Sequence, residues 1–128
     1  MSYKVTKIKP CGSLWGDFDN CICGMEIFIN GVGQGTHGCI VDGYFPHSEI
    51  LFDTHEVVLA VSVCFQSRGG YTVLNNWIIE TNQRVIGPMG RECSSYYPTV
   101  VGHTLIGIAG STGYCMTGMV VHFNRCAP

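Results

Sequence analysis

Charge is scarce in this chain of 128 residues: Asp, Glu, Lys and Arg together make up 12%, and the net charge at pH 7 is −2. No cluster of Lys or Arg occurs, so the electrostatic footprint that nucleic-acid phosphates demand is missing. Long apolar runs are missing too; none approaches the roughly 20 residues of a membrane-spanning helix. The N-terminus, MSYKVTKIKP, is alternating and strand-like and carries no secretory-signal pattern, so Met1 can be an initiator placed on a mature chain. A convincing helical period is absent. So are H-E-x-x-H, G-x-S-x-G and a Gly-rich phosphate loop leading into a helix, which removes the best-defined hydrolase and nucleotide motifs. Cys115 with His103 or His122 is the one thiol-hydrolase pair that can be drawn, and nothing near Cys115 in sequence argues for an activated thiolate. No enzyme, cofactor or metal is expected.

What the chain does have is hydrophobicity, at 46%, and 17 glycines. That combination excludes a disordered solvating chain and points to short strands joined by many turns. Strands are expected over Tyr3–Ile8, Cys21–Asn30, Thr36–Asp42, Glu56–Phe65, Tyr71–Thr81, Thr99–Ala109 and Met116–Asn124, with another beginning at Arg84. Turns or connections are read at Lys9–Asn20, Gly31–Gly35, Gly43–Ser48, Gln66–Gly70, Asn82–Gln83 and Gly87–Pro98. Glu56–Phe65 is the strongest strand, and Trp77 on its return partner reads as core. The whole chain, residues 1–128, is expected to be one all-β domain, a sandwich or a barrel-like prism.

Eight cysteines stand at 11, 21, 23, 39, 64, 93, 115 and 126. In a small domain this number suggests disulfides and an oxidising, extracellular compartment. Cys21-x-Cys23 is a poor match to zinc-ligand spacing, and no His follows at a suitable distance. Cys126, close to the C-terminus, is within easy reach of another chain, so a disulfide-linked homodimer is expected there.

The last hairpin, Thr104–Asn124, places Gly113-Tyr114-Cys115-Met116-Thr117 at its tip. It resembles the closing strand pair of jacalin-related lectins. Three further blocks agree in order: Gly12–Asp19 (GSLWGDFD), Glu49–Val63, and Trp77–Gly90 (WIIETNQRVIGPMG), with its T-N and G-P-x-G spacing. The animal secretory branch, typified by zymogen-granule lectins, is the closer comparison because of the cysteines. The resemblance implies a type-I beta-prism of three four-stranded Greek-key sheets, a secreted protein, and a shallow sugar pocket at one end.

In that family the first loop, a middle hairpin and the last hairpin frame the pocket. Carried over residue by residue, this points to Trp15, Gly16 and Asp17, to Arg68, and to Gly113, Tyr114, Cys115, Met116 and Thr117 as the carbohydrate-binding set. Backbone N–H groups and a carboxylate suit a hexose, whose neighbouring hydroxyls both donate and accept; an aromatic ring covers its C–H face. Each residue also has a plainer role open to it: Tyr114 as a cover on the prism end, Trp15 as a loop anchor, Asp17 and Asp19 as turn formers, Arg68 as a solvated turn charge. Thr117 stands where the family's last loop, G-x-x-x-D, has its Asp, and losing a charge-assisted hydrogen bond costs on the order of 1.5–3 kcal/mol. The same fold implies a Cys11–Cys115 disulfide, because it places the first and last loops side by side. The expected partners are glycans, without nucleic acid or membrane span; the alternative is an extracellular interaction or matrix protein on the same fold with its sugar site lost.

Overall fold

Strands and tight turns account for the regular structure in a computed structural model of the chain, which describes residues 4–13, 21–38, 44–68, 70–93, 96–98, 104–112 and 116–124. The strands are β1 (Val5–Ser13), β2 (Ile22–Ile29), β3 (Val32–Gly38), β4 (Tyr44–Pro46), β5 (Ile50–Leu51), β6 (Val58–Arg68), β7 (Tyr71–Thr81), β8 (Val85–Gly90), β9 (Tyr97–Pro98), β10 (Thr104–Thr112) and β11 (Met116–Asn124). All pairings are antiparallel.

Two sheets repeat one topology. The first runs β3-β2-β1-β4 and the second β8-β7-β6-β9. Each is a Greek key, in which three strands joined in sequence are closed by a fourth that returns beside the first. In the first sheet β4 and β5 share the closing position: β4 lies against Cys11–Ser13 and β5 against Lys7 and Ile8. The third sheet is described as the β10–β11 pair, which packs against β2, β6 and β7. The all-β prism expected from the sequence is the observed fold.

The first strand runs on past Ile8 to Ser13, through a proline that reads as loop in the sequence. Pro10 lies opposite Met25 on β2, and its carbonyl accepts from the His47 amide on the other side at 2.9 Å. Its missing N–H therefore faces the break between β4 and β5, where the ladder asks for no donor. The second turn is also shorter than expected. Asn30 and Gly31, with φ of 50° and 82°, make a two-residue hairpin loop, so β3 starts at Val32 inside the expected Gly31–Gly35 turn. Pro88 falls inside the expected Gly87–Pro98 connection but lies within β8, an edge strand, after a cis peptide bond from Gly87.

Ile8, Ile22, Val61, Leu74, Trp77 and Ile79 are enclosed where the sheets face each other, with Val5, Met25, Ile27, Ile50, Val58 and Met116 around them. Trp77 has no exposed surface, as the strand reading requires. On β2, Ile27 is buried while Glu26 and Phe28 are part-exposed, matching the expected alternation.

Candidate functional site

The strand directions give the molecule two ends of different character. At one end the N-terminus of β1, the β2–β3 turn, the β5–β6 connection and the β7–β8 turn meet. Lys4 donates from Nζ to the carbonyls of Asp53 and Thr54 at 3.0 and 2.9 Å, and its amide donates to Asn30 Oδ1 at 3.1 Å. Asn82 accepts from the Val57 amide at 2.9 Å and donates to the His55 carbonyl at 3.1 Å. Glu56, 1% exposed, accepts from Arg84 Nε and the Thr81 hydroxyl, both at 2.8 Å, and from the Asp53 amide at 3.1 Å. The Arg84 guanidinium, with help from Thr81 and the Asp53 amide, holds the Glu56 carboxyl down at about 2 against the cost of its burial. Side chains and turns here are bonded to one another.

The other end carries the β1–β2 loop, the β6–β7 hairpin and the β8–β9 connection. Its floor is polar and sulfur-rich. Cys21, the last step out of the first loop into β2, is buried as a thiol and donates to Asn75 Oδ1 at 3.3 Å. Asn75 Nδ2 donates to Gln66 Oε1 at 3.1 Å, to the Glu92 carbonyl at 3.0 Å and toward Cys93 Sγ at 3.4 Å. Cys93 is disulfide-bonded to Cys64 on β6, which ties the β8–β9 connection to the second sheet. Asn76 donates to the Arg91 carbonyl at 2.8 Å, and the Arg91 amide donates to the Asn75 carbonyl at 2.9 Å.

His47 closes the floor on the side of the first sheet. Its ring lies over Gly12, where any Cβ would collide with the imidazole and sit 2.9 Å from the Cys21 carbonyl. Burial pushes the His47 pKa below its ordinary value, while a hydrogen bond to the Cys21 backbone pulls the other way.

Of the expected binding residues, Trp15, Gly16, Asp17, Gly113, Tyr114 and Cys115 lie outside the described residues, as do Asp19 and Cys126. Arg68 ends β6 and pairs with Tyr71, so its hairpin is tighter than the expected Gln66–Gly70 turn. Thr117 lies in β11 beyond Met116, whose side chain is 4% exposed and part of the core. Met116 therefore has only its backbone to offer a ligand. Cys11 and Cys23 are disulfide-bonded, but the expected Cys11–Cys115 pairing involves a residue outside the described set. Cys23 in a disulfide cannot serve as a zinc thiolate, and among the described residues no group of His, Cys, Asp and Glu is placed to hold a metal. His122 is exposed on β11. Among the described residues no helix is long and apolar enough to cross a membrane.

Gln66, Asn75, His47 and the Cys21 thiol do not stand out in the sequence as site residues. One signal is available there: Asn75-Asn76 interrupts the apolar strand YTVLNNWIIET, and two amides inside a core strand need built partners.

The described strands form a beta-prism, with one end bonded to its own turns and a polar floor of Gln66, Asn75 and His47 toward the other. Residues 5–122 match the model of the Jacalin-like lectin domain, and the chain belongs to that family. A lectin domain binds carbohydrate without turning it over, which sets the chain among binding proteins and not enzymes. Solved structures agree in fold. Jacalin in its complex with T-antigen superposes with a TM-score of 0.76 at 20% identity, covering 93% of this chain and 90% of jacalin. Frutalin from Artocarpus incisa, in complex with galactose, gives 0.76 at 20%, covering 94% and 92%. The galactose-specific lectin of Artocarpus hirsuta with methyl-α-D-galactose gives 0.75 at 23%, covering 93% and 90%. No curated protein matches the chain in sequence.

Proposed function

We propose that this protein is a secreted lectin that binds hexose-containing glycans at the end of the prism formed by the first loop, the β6–β7 hairpin and the β10–β11 hairpin, with no chemical step. The observation that carries the reading is membership of the Jacalin-like lectin domain over residues 5–122. The contrast between the two ends supports the placement, since the far end spends its polar side chains on its own turns. Trp15, Asp17 and Tyr114 to Thr117 supply the ring, carboxylate, hydroxyl and backbone groups that a hexose needs. Secretion is supported by disulfides at Cys11, Cys23, Cys64 and Cys93, which persist in oxidising compartments. Cys126 links two chains into a dimer.

A glycan array of the full chain tests the reading, with free galactose, glucose and mannose as competitors. Binding to hexose-containing glycans that millimolar sugar displaces is the expected result; silence across the array would sink it. Thr117 in place of the family's Asp favours the second reading, an extracellular interaction protein with the sugar site lost, and a silent array with a stably folded chain is its signature. If glucose or mannose binds, Thr117→Asp restores a charge-assisted acceptor and raises affinity about tenfold by calorimetry. An unchanged Kd would place the sugar away from this loop.

A further inference from the structure

From the floor of the binding end we infer that Asn75 is the positioning residue of the sugar site, an inference that rests on the lectin reading above. Its side chain is fully enclosed. It stands where the β6–β7 register slips: Cys64 faces Asn76 and Phe65 faces Leu74, so Asn75 is the extra residue of a bulge. A bulge re-aims a side chain out of the regular alternation. Here it aims a carboxamide at three segments at once. The oxygen accepts from the Cys21 thiol, at the exit of the first loop. The nitrogen donates to Gln66, at the entry of the β6–β7 hairpin, and to the Glu92 carbonyl and Cys93 sulfur in the β8–β9 connection. A carboxamide has two N–H donors and a carbonyl oxygen, and here both N–H groups and the oxygen are engaged. Two of the three loops assigned to the sugar site thus leave from the partners of one amide. Fixing their roots before ligand arrives lowers the ordering cost of binding.

Asn76 is the built-in comparison. It is adjacent and 3% exposed, but its side chain donates to the Arg91 carbonyl alone among the bonds described. A merely structural polar residue in this strand behaves like Asn76. Asn75→Leu and Asn76→Leu are therefore expected to lower the melting temperature alike, while only Asn75→Leu weakens sugar, by about tenfold. Gln66→Leu, at a half-buried position, removes one arm and keeps the fold, with a loss of about threefold. Equal losses from Asn75→Leu and Asn76→Leu, or a wild-type Kd in both Asn75→Leu and Gln66→Leu, would overturn the assignment. If the wild-type chain binds no glycan, the lectin reading fails and the positioning role is read by amide hydrogen exchange. Asn75→Leu then speeds exchange together around Cys21, Gln66 and Cys93, while Asn76→Leu does so around Arg91 alone. Exchange that changes only within β7 refutes it.

Discussion

A carboxylate with 1% of its surface exposed survives in this fold because every bond it needs is supplied. Glu56 takes two hydrogen bonds from Arg84, one from Thr81 and one from the Asp53 amide, and its pKa falls from the ordinary 4.5 to about 2. A depressed carboxyl pKa stabilises the folded state above the unfolded value and ceases to do so as pH falls through the folded one. The domain should therefore lose this contribution between about pH 4.5 and 2, and Glu56→Gln should cost about 2 kcal/mol at pH 7 and little at pH 2. The half-exposed Arg84 keeps the figure modest, since water screens its side of the pair. Denaturant unfolding of both chains across this range checks the claim; a pH-independent difference would contradict it. Gly12 makes a second test at this scale. An Ala there drives its Cβ into the His47 ring and toward the Cys21 carbonyl, and only the ring can give way. Gly12→Ala should cost about 1–3 kcal/mol in thermal unfolding. Because both neighbours belong to the floor beneath the proposed sugar site, the same change should weaken sugar, and a Kd equal to wild type would separate His47 from the site.

Elements show how far local pattern reaches. The Cys64–Cys93 bond joins β6 to the connection after β8 over a separation of 29 residues, and closing such a loop is worth roughly 3–4 kcal/mol. Replacing both cysteines by Ala should lower stability by about that amount, measured by urea unfolding, and should loosen Asn75, which loses the Cys93 sulfur as a neighbour. Neither this pairing nor the bulge at Asn75 was legible, because both depend on which strands lie side by side. β7 was legible to the residue, since Gly70 opens it and Asn82-Gln83 closes it around alternating apolar positions. β1 was not: Pro10 and Gly12 read as loop formers, and only the gap between β4 and β5 and the approach of His47 make them strand residues. The start of β3 was misplaced because Asn30-Gly31 alone makes the hairpin, and the glycines that follow it belong to the strand. Among the residues named from the motif, Trp15, Gly16, Asp17 and Gly113 to Cys115 lie outside the described residues, and the motif did not point to Gln66, Asn75 or His47. Met116 looked like part of the tip and is core, since an apolar side chain one step into a strand turns inward wherever the sheet face is buried.

At the scale of the whole molecule, the described residues differ between the two ends of the prism, one of them bonded to its own turns, and that asymmetry bears on assembly. Under the proposed lectin reading, one hexose held through a few hydrogen bonds is a weak site, weaker still with Thr117 where the family's pattern has a carboxylate. Weak single sites become effective when two are joined, because the second binds at the effective concentration set by the link. The proposed Cys126 disulfide would supply such a link. On a non-reducing gel the wild-type chain should run as a dimer and Cys126→Ser as a monomer. Calorimetry with free monosaccharide should give both the same Kd, since the sugar site is untouched. On a dense glycan surface the monomer should bind roughly 100-fold more weakly, the loss expected when avidity disappears. A monomeric wild type would remove the dimer, whereas a dimer that binds the surface no better than Cys126→Ser would mean that the two loop ends cannot face one surface together.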